Sequence, residues 1–348
     1  MHYNKIFTPL SWLYGIVIWL RNWLYDLRIL SVRQLPVSVI SIDSVTGSGS
    51  GKTSFLEYLI EYLLPFGKKI AIVHFADNHS TGMDIISDGG RIYGTPRSES
   101  DGLYQIAIKY PQVIVVVSDN VMNTAELVIE RFRPSVILLD GCFHLRSVKR
   151  DLDIVMIDST KSLTGTAMIP AGPRREPLSA LRRAHLLVYS HTSATSSGML
   201  NTLKKYTHSP AAGIQYQPIE LVQLFTGNIL ELDSIANKPV VAFCGIANPN
   251  SFQKILQEIG AQIVNFIVYP NHHIYQRSDF QAIQQKFDSR KAQCIVTTEK
   301  DAVRLQSHSK IDAFPYDSCY FLRIKINLVS GQSTLHYLLK EKIDSSIR

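Results

Sequence analysis

Cysteine is scarce: four in 348 residues, Cys142, Cys244, Cys294 and Cys319, far apart and with no C-x-x-C pair. That spacing indicates neither a disulfide framework nor a zinc site, and it fits a reducing, cytoplasmic-side location. Tryptophan is scarcer. Its three copies, Trp12, Trp19 and Trp23, all lie near the N-terminus. Long basic runs and RNA-binding signatures are missing, so no nucleic acid is expected as a partner. Lys+Arg 36 nevertheless exceed Asp+Glu 29, for a net charge of +7, which suits a smaller anionic ligand or an acidic membrane surface. The uncharged run "IFTPLSWLYGIVIWL" (Ile6–Leu20) reaches only about 22 Å as a helix, against the ~30 Å hydrocarbon core of a bilayer. No small-residue cleavage site follows it, which argues against a signal peptide. Trp and Tyr prefer the headgroup level, so residues 1–30 are expected to form a membrane-associated helix. Whether it lies in the interface, spans with strain or packs on the protein stays open at this point.

What the sequence has in quantity is hydrophobic residues, 45% of the chain, in recurrent β-branched runs. Strands are predicted at 37–42, 69–75, 113–118, 135–140, 152–158 and 184–190, with helical stretches between several of them. Near-continuous apolar strands alternating with helices indicate a mainly parallel α/β sheet covered on both faces. Ligands bind such sheets outside the C-terminal ends of the strands. A boundary is expected near "FTGNILELDSIANKP" (225–239), giving a main domain over 31–230 and a smaller α/β domain over 236–348 that closes over a cleft.

Between the first two strands stands "TGSGSGKT", Thr46 to Thr53. A phosphate-binding loop reads G-x-x-x-x-G-K-[ST], and Thr46 occupies the first glycine position. The setting of strand, glycine-rich loop, helix and strand is the one that loop requires. Thr46, Gly47, Ser48, Gly49, Ser50 and Gly51 are therefore read as the phosphate cradle, whose N–H groups and helix N-terminus favour an anion. Lys52 would reach the β- and γ-phosphates, and Thr53 would offer its hydroxyl to Mg²⁺. The helix after it is predicted to bury Phe55, Leu56, Leu59, Ile60 and Leu63. ATP and Mg²⁺ are the cofactors this implies.

Other residues sit where strands end. Asp140 closes "SVILLD" and is a candidate for the Mg²⁺ shell. Asp101, before a helix, reads by pattern alone as an N-cap. His272 and His273 follow a strand and are open between metal ligand, acid–base group and loop residue. Arg174, Arg175 and Glu176 follow the rigid "IPAGP" loop, where an arginine could hold phosphate. Thr298 and Asp301 in "TTEKDAVRL" are balanced between local capping and ligand contact. A helix is predicted over 122–133, with Thr124 near its start and Leu127, Val128 and Phe132 on one face.

Taken in order, "TPLSWLYG", "TGSGSGKT", "RDLDIVMID", "IPAGPRREPLSALRRA", "VVAFCGIANP", "YPNHHIY" and "VTTEKDAVRL" resemble the tetraacyldisaccharide 4′-kinases over nearly the whole chain. The resemblance implies a P-loop kinase that phosphorylates the 4′-hydroxyl of an acylated disaccharide lipid, the lipid A precursor. It also implies a location on the cytoplasmic face of the bacterial inner membrane. Carried over position by position, Lys52 and Thr53 are the loop residues, Asp101 is the catalytic base and His272 its supporting partner. Arg175 and Glu176 match the Arg-Glu after Pro-Ala-Gly-Pro, with Arg175 catalytic and Glu176 joining Thr53 and Asp140 at the metal. The chain departs from the family at several of these sites. Asp-Asp-Gly-Phe-Gln-His reads Asp140-Gly141-Cys142-Phe143-His144-Leu145 here, Gly-Asp-Glu-Pro reads Ser100-Asp101-Gly102-Leu103, and Ser-Arg-Gly-Tyr reads His74-Phe75-Ala76-Asp77. Two readings follow: a rebuilt site in which Asp77 or His144 takes a new role, or a catalytically weakened nucleotide- or lipid-binding relative.

Overall fold

The computed structural model describes residues 5–45, 49–77, 82–96, 100–160, 163, 166–190, 201–306 and 314–344. The chain divides into two compact units, each discontinuous in sequence. The first is Met1–Ile92, Pro111–Gln215 and Ile326–Arg348; the second is Tyr93–Tyr110 and Tyr216–Lys325. This differs from the contiguous domains expected from sequence. The segment carrying Asp101 belongs with the C-terminal half, and the last helix belongs with the first unit. The cuts fall in a loop, at a helix end and inside two long strands, where no composition change marks them.

In the first unit the strands are β1 (Ser38–Ser44), β2 (Ile70–Phe75), β3 (Met83–Asp88), β4 (Ile114–Ser118), β5 (Val136–Asp140), β6 (Leu152–Asp158) and β7 (Leu186–Ser190). Their order is β7-β6-β1-β5-β2-β4-β3. All pairs are parallel except β3 with β4. The six predicted strands are all present. The antiparallel edge strand β3 was not predicted. β1 lies between β5 and β6, so the chain leaving it crosses over β5 to reach β2. The helices are α1 (Thr8–Asp26), α2 (Lys52–Leu63), α4 (Val121–Phe132) and the C-terminal α8 (Gln332–Asp344); α3 (Asp101–Lys109) belongs to the second unit.

Periodicity explains the packing. On α2, Phe55, Leu56, Leu59, Ile60 and Leu63 are all buried, as predicted. Alternate strand residues Ala71, Val73, Ile114, Val116, Ile137 and Leu139 share one face of the sheet and pack with Val121, Met122, Ala125 and Val128 of α4. The predicted face of α4 is therefore corrected: Leu127 is exposed. Asn120 caps the helix by accepting from the Asn123 N–H, and Thr124, in the first turn, donates its hydroxyl to Ser118.

The second unit orders its strands β11-β10-β12-β13-β8. These are β8 (Ala211–Gln223), β10 (Pro239–Cys244), β11 (Gln262–Val268), β12 (Cys294–Thr298) and β13 (Cys319–Ser330), with the short β9 (Ile229–Leu230) antiparallel to β8. Apolar clusters cover both faces. Val241, Phe243 and Ile295 pack with Phe280 and Ile283 of α6 (Arg277–Ser289) and Ala302 and Leu305 of α7 (Glu299–Gln306). Val240, Ala242 and Val296 pack with Phe252 and Leu256 of α5 (Pro249–Glu258). All four cysteines are buried as free thiols.

Candidate active site

The phosphate loop leaves β1 and enters α2. Thr46, Gly47 and Ser48 lie outside the described residues. Gly49 and Gly51 have φ of +88° and +87°, a left-handed conformation that favours glycine. Gly51 is the N-cap of α2, and Lys52 and Thr53 open its first turn. The helix N-terminus thus begins at the lysine, as phosphate binding requires.

The Lys52 ammonium lies 3.5 Å from Asp43 Oδ1. Asp43, on β1, was not singled out from sequence. Its carboxylate accepts from the N–H groups of Ser44 (2.6 Å) and Phe143 (2.9 Å), and His144 Nδ1 lies 3.9 Å away. Burial alone would raise its pKa, but Lys52, His144 and the Ser44 N–H hold it far below the usual carboxylate range. The signal available was a carboxylate closing an apolar strand, the same signal that marked Asp140.

Asp140 ends β5 as expected. Gly141 follows at φ +76° and donates its N–H to Ile42. His74 Nδ1 lies 2.7 Å from Asp140 Oδ2. Burial would raise the Asp140 pKa; His74 and Lys52 lower it further than burial raises it. Asp140 and Asp43 in turn raise the Lys52 pKa against the effect of its burial. His74, which stands where the family has serine, is a second residue that sequence reasoning passed over. The other Asp140 oxygen, Oδ1, is buried without a protein partner. An ionised carboxylate oxygen only accepts, so this atom fits a Mg²⁺ ion or its water. Among the described residues no cluster of three His, Cys, Asp or Glu side chains could hold a metal by itself. Mg²⁺ bound with ATP needs none, because one or two carboxylates, phosphates and waters complete its shell.

Arg175 and Glu176 point to different places. Arg175 reaches the Asp77 carboxylate at 2.7 Å with both side chains substantially exposed. Glu176 is only 2% exposed. Its Oε1 accepts from Arg21 at 2.7 Å and its Oε2 from Asn22 at 2.8 Å, both on α1, and Arg183 lies 3.5 Å away. The metal expectation for Glu176 is therefore corrected: both its oxygens are engaged in anchoring α1. The Tyr14 hydroxyl, also on α1, donates to the Arg175 carbonyl at 3.1 Å.

In the second unit, Asp101 is the first residue of α3 rather than its N-cap, which is Ser100. Its side chain is almost wholly buried. Oδ1 accepts from the Gly102 N–H at 2.6 Å, and Oδ2 lies 2.9 Å from His272 Nδ1. A carboxylate cannot donate, so Nδ1 carries the hydrogen. Burial would raise the Asp101 pKa, but the His272 hydrogen bond and the charges of Lys300, His272 and Arg304 lower it overall. The residues expected as base and partner are thus brought together, and within one unit. His273 turns away to Asp279 at 2.9 Å.

A nucleotide loop at the end of a central parallel strand, a lysine among strand-end carboxylates and a buried aspartate paired with a histidine define a P-loop phosphotransferase. The sequence model described as Tetraacyldisaccharide-1-P 4′-kinase matches residues 3–344. The chain belongs to that family. It is 32% identical to the tetraacyldisaccharide 4′-kinase of Syntrophus aciditrophicus (strain SB), over 95% of this chain and 91% of the relative. It is 31% identical to that of Chlorobium phaeobacteroides, over 97% and 98%. The crystal structure of LpxK from Aquifex aeolicus in complex with ATP superposes with a TM-score of 0.76 at 28% identity, covering 97% of this chain and 99% of that one.

Proposed function

We infer that this protein transfers the γ-phosphoryl group of ATP to the 4′-hydroxyl of a tetraacyldisaccharide 1-phosphate, in lipopolysaccharide biosynthesis. Family membership along nearly the whole chain carries the reading, and the intact Lys52, Thr53, Asp140, Asp101 and His272 support it. Phosphoryl transfer depends mainly on positioning and charge neutralisation. Lys52 and the loop N–H groups hold the phosphates. Thr53 and Asp140 would hold Mg²⁺, which draws charge from the phosphate oxygens when bound. Arg175 neutralises charge on the γ-phosphoryl group, a phosphate replacing Asp77 on its guanidinium. Asp101 accepts the hydroxyl proton, with His272 orienting it. The 4′-oxygen forms its bond to phosphorus as the bond to the β,γ-bridging oxygen breaks, and ADP leaves. The test is to incubate the full chain with γ-labelled ATP, Mg²⁺ and the acylated disaccharide 1-phosphate. Labelled lipid is expected. Nucleotide binding without labelled lipid would make the chain a binding-only relative.

We further propose that α1 seats the enzyme on the cytoplasmic face of the inner membrane. No helix among the described residues is long and apolar enough to cross a membrane. One side of α1 faces the protein through Ser11, Arg21 and Asn22. The other presents Trp12 (74% exposed), Leu13, Ile16 and Trp19. An apolar stripe flanked by tryptophans suits the interfacial plane. Replacing Trp12, Ile16 and Trp19 together by Ser should weaken binding to anionic liposomes by at least about tenfold, since each large apolar side chain contributes roughly 1.5–3 kcal/mol when buried. Cosedimentation measures this, and unchanged sedimentation would reject α1 as the anchor.

A further inference from the structure

The "TTEKDAVRL" block has no role in the transfer scheme above, yet two of its charged side chains, Asp301 and Arg304, are buried. Asp301 is fully buried and Arg304 is 4% exposed. Asp301 Oδ1 accepts from the Gly245 N–H at 3.0 Å, from the Tyr275 hydroxyl at 2.6 Å and from Arg304. Its Oδ2 accepts from the Thr298 hydroxyl. A buried carboxylate with this many donors is a fixed point around which other groups are placed.

Arg304 extends from that point. Its Nη1 donates to the His273 carbonyl at 2.9 Å and its Nη2 to the Gly245 carbonyl at 3.0 Å. The same Gly245 carbonyl accepts from the His272 N–H at 3.0 Å. His272 itself sits at φ +60°, a left-handed conformation uncommon for a residue with a side chain. The guanidinium therefore ties down the backbone after His272 and the carbonyl that holds His272. Its Nε donates to the Lys300 carbonyl at 3.4 Å and lies 3.6 Å from Asp101 Oδ2, the oxygen that also faces His272. Space at the junction is tight: a Cβ on Gly245 would come within 3.0 Å of the Pro270 carbonyl oxygen and 3.3 Å of Asp301 Oδ1.

We propose that Arg304, held by Asp301, is a positioning residue of the kinase reaction: its guanidinium fork fixes the turn that carries His272 and sets the Asp101–His272 distance. This rests on the reading of Asp101 as the base. The charged and titratable groups facing Asp101 are His272 from the turn after β11, and Lys300 and Arg304 from α7. Lysine cannot replace the fork, because a single ammonium does not reproduce the planar, bidentate arrangement.

The test uses the full chain with Arg304→Met and Arg304→Lys. Arg304→Met should lower kcat by about tenfold to a hundredfold, the effect of misplacing a reacting group by about 1 Å. The KM for ATP should stay within about twofold, because the phosphate loop belongs to the other unit. The acid limb of kcat should move to higher pH, as Asp101 loses a neighbouring positive charge. The Asp101 carboxyl ¹³C titration, assigned with Asp101→Asn, should move the same way without any turnover. Arg304→Lys should keep that titration near its original place while kcat still falls, separating the fork from the charge. If Arg304→Met does not fold, Arg304→Lys carries the test. Failure of wild-type protein to label the lipid would undo the proposed function, whereas the carboxyl titration would still judge Arg304. Wild-type kcat in Arg304→Lys overturns the proposal. So does an Arg304→Met protein whose only change is a lower melting temperature, with the Asp101 titration unmoved.

Discussion

Asp101→Asn is expected to lower kcat by about 10²–10⁴-fold, the range for removing a general base, with ATP affinity unchanged. Asparagine keeps the volume and can still accept from the Gly102 N–H, which now bonds Oδ1 at 2.6 Å. It cannot take a proton from a sugar hydroxyl. His272→Ala should lower kcat at least about tenfold, and the double variant should lose less than the product, because groups acting as a unit are not additive. The pH dependence has a definite sign. Burial works to raise the Asp101 pKa, but the His272 hydrogen bond and the surrounding cations lower it overall from 3.8. The base is therefore ionised across the neutral range, and its acid limb lies below the ordinary carboxylate range. Steady-state kinetics from acid to neutral pH check both points. Multiplicative losses in the double variant would separate the pair.

Lys52→Met should lower kcat by about 10²–10³-fold, comparable to removing one preorganised electrostatic stabiliser, and should weaken ATP binding. Its effect on stability depends on pH in a predictable direction. Asp43 has a depressed folded-state pKa, owed after burial to Lys52 first. Such a group stabilises the fold above its unfolded pKa, about 3.9, and that contribution is lost as pH falls through the folded value. Without Lys52 the buried Asp43 and Asp140 repel each other. The gap in melting temperature between wild type and Lys52→Met should be widest near pH 7 and narrow as falling pH protonates the carboxylates, first in the variant, which lacks the lysine charge. Thermal melts across that span decide it. A gap independent of pH would show that Lys52 contributes packing and not charge.

The scaffold was legible because its signals are local. Six β-branched runs became six strands, and the 3.6-residue spacing on α2 named its buried face. β3 was missed because a six-residue edge strand carries little pattern. β8 was missed because Pro218 breaks its run, and proline within a strand pattern argues against a strand. The phosphate loop was read from its own residues. Asp101 and His272 lie 171 positions apart, and no spacing rule joins such residues; only resemblance to a family named the pair. Where resemblance alone assigned Glu176 to a metal, side-chain direction decided otherwise, because Glu176 turns inward to Arg21 and Asn22. The substitutions at His74 and His144 read only as departures in one dimension. In three dimensions His74 holds Asp140, and His144 stands beside Asp43.

The four buried thiols make the molecule a clock for its own opening. Burial raises the pKa of Cys142 and Cys294, and it pushes Cys244, with Asp301 adding to the effect, up to about 12. Thiolate is the form that reacts, so alkylating reagents meet almost none of it while the fold is closed. Cys142 belongs to the first unit; Cys244, Cys294 and Cys319 belong to the second. Their alkylation rates therefore report fluctuation of each unit separately. Nucleotide held at the phosphate loop should slow the Cys142 clock, because a ligand bound only by the closed state lowers the open population.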